Sequence, residues 1–159
     1  QYMHRKSDAE LAAILQPQLR AHGIEVDDMR AGEAAGIMKE RATLTGDLWD
    51  LTSFFFTAPT EYEEKQTRKY WKGDNPSMLA ELREVLASID DFSKDNTERI
   101  VHAWIESRSL SMGQVMNTLR LALVGAGKGP GMYDVTAFIG REETLRRIDR
   151  ILAELKPVE

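Results

Sequence analysis

The residues most suggestive of chemistry form a glycine-rich stretch with one lysine, VGAGKGPG, at positions 124–131. Glycine-rich loops of this kind hold nucleotide phosphates in many enzymes, because exposed backbone N–H groups and a lysine ammonium group neutralise the phosphate charge. The first question is therefore whether this stretch binds a nucleotide.

The spacing within the stretch argues against both common phosphate motifs. A Walker loop has four residues between its first glycine and the Gly-Lys pair, and then Ser or Thr. Here Ala126 alone separates Gly125 from the Gly-Lys pair, and a glycine follows the lysine. The G-x-G-x-x-G fingerprint fails because Pro130 stands where its last glycine belongs. Both motifs also follow a β-strand, whereas the pair Ser111 and Gln114 predicts a capped helix before this loop.

The alternative is a short connection between two helices. Pro130 stiffens its centre, and helical spacing of apolar residues resumes at Met132. A loop anchored at both ends, with exposed N–H groups, Lys128 and the nearby Arg120, could present a small recognition edge. A plain Gly-rich connection with a solvated lysine stays open beside that interpretation.

The elements that must position this loop are helices. Helix-start signatures occur at intervals along the chain, and apolar residues follow each of them at helical spacing. The predicted starts are Ser7 with Glu10, Asp27 or Asp28, Asn75 with Pro76, Asp95 with Glu98, and Ser111 with Gln114. We expect a further helix in EYEEKQTRKYWKGDN as far as Gly73, and a last helix after Gly140. Alternating strand patterns are scarce, so the predicted fold is all-α.

The chain divides into two parts at a proline-containing stretch. Residues 57–60 include Pro59 and interrupt the helical pattern. We therefore predict two small helical subdomains, residues 1–60 and 61–159.

Composition and charge set the broad class. The 159 residues are 42% hydrophobic and 30% charged, an ordinary soluble composition. No apolar run reaches the roughly 20 residues that span a bilayer, and no signal peptide is visible. The absence of cysteine excludes disulfides and fits a cytoplasmic location. A first residue other than Met suggests a piece of a longer chain.

The charge is unevenly distributed along the chain. The net charge of −5 argues against a broadly basic nucleic-acid binder. Residues 109–159 nevertheless hold seven Lys or Arg against six Asp or Glu, and residues 1–108 hold fourteen against twenty. This asymmetry permits phosphate contacts in the second part.

Two longer motifs, MGQVMNTLRLALVGAGKGP and MYDVTAFIGREETLRRIDRIL, resemble the C-terminal anticodon-binding region of bacterial glutamyl-tRNA synthetases. That family has a Gly-Gln helix start, Leu-Arg-x-Ala-Leu-x-Gly, a loop with a proline, Leu-Gly-Lys-Glu, and paired arginines in a last helix. The matching positions here are 113–114, 119–125, 130, 139–142 and 146–147. Arg141 replaces the usual lysine, and Val124 stands where Thr is common. Weaker matches upstream, KERATLTGDLWDLTSFFF and SDAEL, extend the similarity over nearly the whole chain.

The resemblance implies an all-α anticodon-binding bundle of the class I synthetase type. The family's two catalytic motifs, His-Ile-Gly-His and Lys-Met-Ser-Lys-Ser, are absent here. The implied function is therefore to recognise the anticodon loop of tRNA(Glu), next to the catalytic domain of the same parent chain. The parent would ligate glutamate to tRNA(Glu) with ATP and Mg²⁺, whereas this part would need no cofactor or metal, would act as a monomer and would not contact a membrane. Whether the parent also charges glutamine tRNA stays open.

The same resemblance implies which residues contact the anticodon. Arg120 and the proline loop, with Gly129, Pro130 and Met132, would contact bases. Lys128 is a phosphate contact or a solvated lysine. Arg41, a candidate reader of the last anticodon base, would otherwise be a solvated helix residue.

Other polar and aromatic residues are expected to be structural. Arg146 and Arg147 would touch the RNA backbone, or be solvated or paired with Glu142 and Glu143. The three histidines, at positions 4, 22 and 102, have no carboxylate or histidine partner at ligand spacing. Core packing is the expected role of Trp71, Trp104 and the phenylalanines at 54–56.

Two other functional classes compete with tRNA binding. A helical protein-protein interaction module would dock through the SFFFTAPTEY segment, and the net acidity favours it slightly. A free-standing enzyme lacks any paired-carboxylate, Ser/His or metal constellation.

Overall fold

The computed structural model describes residues 6–39 and 47–159, and within these ranges the chain is helical. Its helices are α1 (Asp8–Ala21), α2 (Asp28–Met38), α3 (Asp47–Phe56), α4 (Glu64–Tyr70), α5 (Asn75–Ala87), α6 (Lys94–Ser107), α7 (Met112–Val124) and α8 (Met132–Glu154). In the described ranges, extended pairing is limited to one parallel bridge between Lys72 and Val158. The predicted all-α class is confirmed.

Three of the helices begin at the residues that the sequence predicts. Ser7 and Glu10 form a reciprocal capping box at α1. Asp27, rather than Asp28, caps α2 by accepting the Arg30 N–H at 2.8 Å. Ser111 Oγ accepts the Gln114 N–H at 3.3 Å and caps α7, the helix that leads into the glycine-rich loop. The loop therefore follows a helix and not a strand, as predicted.

The start of α5 differs in detail from the prediction. Asp74 is its N-cap residue, and Asn75 is already the first helical residue. The Asn75 side chain is buried, donates to the Tyr70 carbonyl at 2.6 Å, and accepts from the Gln114 side chain. Asn75 therefore joins elements within the core, a role that local sequence does not reveal.

Two further boundaries shift by a few residues. The α6 helix begins after Ser93 and not at Asp95. The predicted helix before Gly73 ends at Tyr70. At Gly140, by contrast, the predicted break is present as a kink inside α8, where the backbone has φ 85° and ψ 168°.

Residues 1–57 form the first of two compact units. Its core joins apolar residues of α1 with α2 and α3, and consists of Leu11, Ala12, Leu15, Leu19, Ala31, Ala35 and Leu48. Phe54 and Phe55 of α3 are also buried.

Residues 58–159 form the second unit, which contains the glycine-rich loop. Its core includes Trp71, Leu79, Leu82, Leu119, Val135, Ile148 and Ile151. The C-terminal segment is tied to this core, since the Trp71 indole donates to the Leu155 carbonyl at 2.8 Å. The Val158 N–H in turn donates to the Trp71 carbonyl at 2.8 Å.

Within the described residues, every helix is too short or too polar to span a lipid bilayer.

Candidate nucleic-acid interface

The α7 helix ends at Gly125, where the 125–131 loop begins. Gly125 has φ 80° and ψ 5°, the left-handed conformation that terminates many helices. Its N–H bonds to the carbonyl of Leu121 at 3.0 Å. A β-carbon at this position would lie 2.7 Å from the Cβ of Pro59 and 2.8 Å from the carbonyl oxygen of Glu61. Backbone conformation and close packing therefore both require glycine here.

Arg120 holds the far side of the loop from within α7. Its Nη1 donates to the carbonyl of Pro130 at 2.8 Å and to that of Lys128 at 3.2 Å. One guanidinium group thus joins two carbonyls of the loop, and the planar, charged donor makes these bonds stronger than those of a neutral donor. Arg120 therefore supports the shape of the loop at residues 128–130.

The exposed part of the loop is mainly backbone. Gly127, Lys128 and Gly131 are exposed and Gly129 is half-buried, whereas Pro130 is buried. Backbone N–H and C=O groups at such an edge can bond to base edges, and Lys128 can reach a phosphate.

Met132 lies at the start of α8 and is 2% exposed. In this conformation Met132 and Pro130 are buried and present little surface to a base. Contact of either side chain with a base face stays a prediction and requires a local rearrangement on binding.

An ion pair flanks the start of α8. Lys94 Nζ lies 3.0 Å from Asp134 Oδ1, and this bond raises the pKa of the Lys94 ammonium group. The carboxylate of Asp134 is thereby balanced next to the loop, which reduces its repulsion of an approaching phosphate.

Arg146 and Arg147 have distinct environments. Both pair with Glu143, Arg147 through Nε at 2.8 Å, but Arg147 is 2% exposed and Arg146 is mostly exposed. Arg147 also donates from Nη1 to the Leu123 carbonyl at 2.8 Å. Arg147 is therefore part of the core and does not lie where RNA could touch it. Arg41, the other predicted arginine, lies outside the described residues.

The two tryptophans that were expected in the core differ in burial. Trp71 is in the core, whereas Trp104 is half-buried and donates to Glu81 Oε2 at 2.8 Å. The expectation that His102 has no carboxylate partner is wrong, because its Nε2 lies 3.8 Å from Glu98 Oε2, one helical turn earlier. Among the described residues no group of three or more His, Cys, Asp or Glu could hold a metal ion. His4 lies outside those residues.

Sequence reasoning missed the contacts that the segment before α4 makes with the loop. Glu63 bonds to Gly125 and Gly127, although 64 positions separate it from Gly127. No local pattern marks Glu63, since its role depends on tertiary packing.

A family model described as an anticodon binding domain matches residues 10–152. The chain is 47% identical over 156 residues to the glutamate–tRNA ligase of Phocaeicola vulgatus, and 45% identical over 155 residues to that of Bacteroides fragilis. Each alignment covers 98% of this chain and 31% of the relative. The chain thus spans about a third of the length of the curated relatives that it matches.

Solved structures give the same result. A glutamate tRNA ligase from Elizabethkingia meningosepticum, in complex with its amino acid, superposes with a TM-score of 0.90 at 36% identity, covering 98% of this chain and 31% of that one. The glutamate-tRNA synthetase of Elizabethkingia anophelis superposes with a TM-score of 0.84 at 35% identity, covering 96% and 30%.

Proposed function

Because the chain belongs to the anticodon binding domain family, we propose that it is the tRNA-reading part of a glutamate–tRNA ligase. The observation that carries this proposal is the 125–131 loop, which Arg120 fixes at two carbonyls with its backbone edge exposed. A fixed polar edge suits the unstacked bases of an anticodon loop, which expose hydrogen-bonding edges to a partner.

In this proposal each candidate residue has a defined part. The backbone of Gly129 and its neighbours bonds to base edges, and Arg120 both shapes the loop and faces the bases. Lys128 attracts the RNA backbone. Pro130 and Met132 pack against a base after a local rearrangement that leaves the 127–129 edge in place, and Arg41 contacts the last anticodon base.

The chemistry of aminoacylation belongs to the rest of the proposed parent. The Gly-Lys loop of this chain does not fit a phosphate loop, because it follows a helix and has the wrong spacing. ATP and Mg²⁺ would bind the catalytic domain of the same parent chain. We further propose that the parent is a cytoplasmic enzyme and that this part acts as a monomer on tRNA(Glu).

The proposal is tested by titrating the 159-residue chain with tRNA(Glu) and with the same tRNA carrying a swapped anticodon. We expect tighter binding of the unaltered tRNA, and affinity for both that falls steeply as salt rises. Equal binding of the two tRNAs at every salt concentration would contradict the proposed function.

The alternative, an interaction module that docks through SFFFTAPTEY, has less support. Phe54 and Phe55 of this segment are buried and do not form an exposed apolar surface. The segment therefore contributes to folding.

A further inference from the structure

The second support of the loop is Glu63, the residue that precedes α4. Its backbone N–H donates to the Gly125 carbonyl at 2.8 Å. Its carboxylate makes no capping bond to α4, and Oε1 instead accepts the Gly127 N–H at 3.4 Å. One residue thus bonds to the loop through both its main chain and its side chain.

Packing around these bonds is close. The side-chain amide of Gln66, one turn into α4, lies where a β-carbon on Gly127 would be, with 2.6 Å between that position and Cδ. The segment before α4 can approach the loop because residue 127 has no side chain. Glu63 therefore supports residues 125–127 of the loop, and Arg120 supports residues 128–130.

The negative charge of Glu63 opposes RNA binding at this loop. Glu63 is exposed, and a carboxylate beside an RNA-binding loop repels phosphate groups and weakens binding. Its position is unfavourable for RNA affinity, so any benefit must come from the shape that it gives the loop.

We propose that Glu63 is a positioning residue for anticodon recognition: it fixes residues 125–127 so that the exposed edge at 127–129 meets the bases in one conformation. This inference rests on the proposed function and deepens it. Glu63 acts through the loop and does not contact the RNA.

The test compares Glu63→Ala and Glu63→Gln with a control, Glu64→Ala, in the 159-residue chain. Glu64 is the exposed neighbour that pairs with Arg68 on the same helix, so its removal changes the charge equally without touching the loop. Dissociation constants are measured for tRNA(Glu) and the anticodon-swapped tRNA, and the ratio of the two is the discrimination.

We expect Glu63→Ala to lower discrimination roughly threefold to tenfold, the effect of one hydrogen bond. Glu63→Gln keeps an oxygen acceptor, so discrimination should stay within about twofold while both tRNAs bind more tightly. Glu64→Ala should tighten binding of both tRNAs and leave the ratio unchanged. Hydrogen exchange of the Gly127 amide should accelerate in Glu63→Ala alone.

Unchanged discrimination and unchanged Gly127 exchange in Glu63→Ala would overturn the positioning role. An equal loss of discrimination in Glu63→Gln would overturn it as well, because the acceptor is retained there. If the unaltered chain shows no discrimination, the proposed function fails. The exchange measurement, which needs no RNA, then separately decides whether Glu63 holds the loop.

Discussion

Two arginines bond to backbone carbonyls near the end of α7, and they do so in different surroundings. Arg147 reaches Leu123 inside the helix from α8, is almost fully buried, and is paired with Glu143. Arg120 is half-buried and reaches the carbonyls of Lys128 and Pro130 in the loop. The same chemical group thus secures the helix end in one case and shapes an exposed edge in the other.

The difference indicates how to separate structural from functional arginines in this molecule. Burial lowers the pKa of the Arg147 guanidinium, and the bond to Glu143 opposes that shift. Such a group contributes to folding, since its loss removes the Nε donor to the half-buried Glu143 carboxylate and the Nη1 donor to the Leu123 carbonyl. Arg120 bonds to the segment that faces solvent, so its loss should change recognition more than stability.

The largest expected effect is that of Arg147→Ala on stability. Arg147→Ala removes a buried side chain together with its bonds to Glu143 and to the Leu123 carbonyl, so it should lower the free energy of unfolding by about 3 kcal/mol, measured by urea denaturation. The matched control is Arg146→Ala, which removes an exposed partner of the same Glu143 and should change stability by less than about 1 kcal/mol. Equal losses in both variants would contradict the distinction between them.

Gly125→Ala tests the end of α7, where the helix passes into the loop. A β-carbon at φ 80°, close to Pro59 and the Glu61 carbonyl, should cost about 2–3 kcal/mol of unfolding free energy. Gly113→Ala in the same helix meets only Ser111 Oγ at 3.9 Å, and should be neutral or stabilising by up to about 1 kcal/mol. The midpoints of thermal unfolding of both variants provide the measurement. Similar midpoints would show that position 125 tolerates a side chain.

Arg120→Ala should affect discrimination and leave most of the stability intact. We expect the difference in binding free energy between the cognate and the anticodon-swapped tRNA to shrink by roughly 1–3 kcal/mol. Arg120→Lys is the control for charge: it keeps general affinity but cannot place a planar donor on both carbonyls. If Arg120→Ala leaves the binding of both tRNAs unchanged, the assignment of Arg120 to recognition is wrong.

The smallest effect is expected for Lys128→Ala. Because this exposed side chain would meet phosphate and not bases, affinity should fall by about 1 kcal/mol or less for every anticodon. The slope of log K against the logarithm of the salt concentration should become less steep by about one. A change of discrimination in this variant would instead place Lys128 at a base.

Sequence predicts the fold where the signals are local. Ser7, Asp27 and Ser111 cap helices as their spacing indicates, because each bonds to an N–H three residues away. Asn75 shows the limit of this approach. Asn75 has good capping chemistry but instead joins Tyr70 and Gln114, because a buried side-chain amide needs partners for its N–H and C=O groups.

The site is less predictable from sequence for the same reason. Arg120 and the loop are recognisable from their motif, but the buried state of Met132 and Arg147 depends on which face of α8 packs inward. Adjacent Arg146 and Arg147 look equivalent in sequence and differ completely in exposure. Glu63 carries no sequence signal at all, because its partners are distant along the chain.

The attachment of the C-terminal segment to Trp71 has an optical consequence. Trp71 is buried, whereas Trp49 and Trp104 are half-buried, so its emission should lie at the shortest wavelength of the three. Its indole N–H and its carbonyl bond to residues 155 and 158, respectively. Release of those last residues would admit water to the indole and shift the emission to the red. The chain therefore carries an intrinsic fluorescent reporter for the docking of its own end.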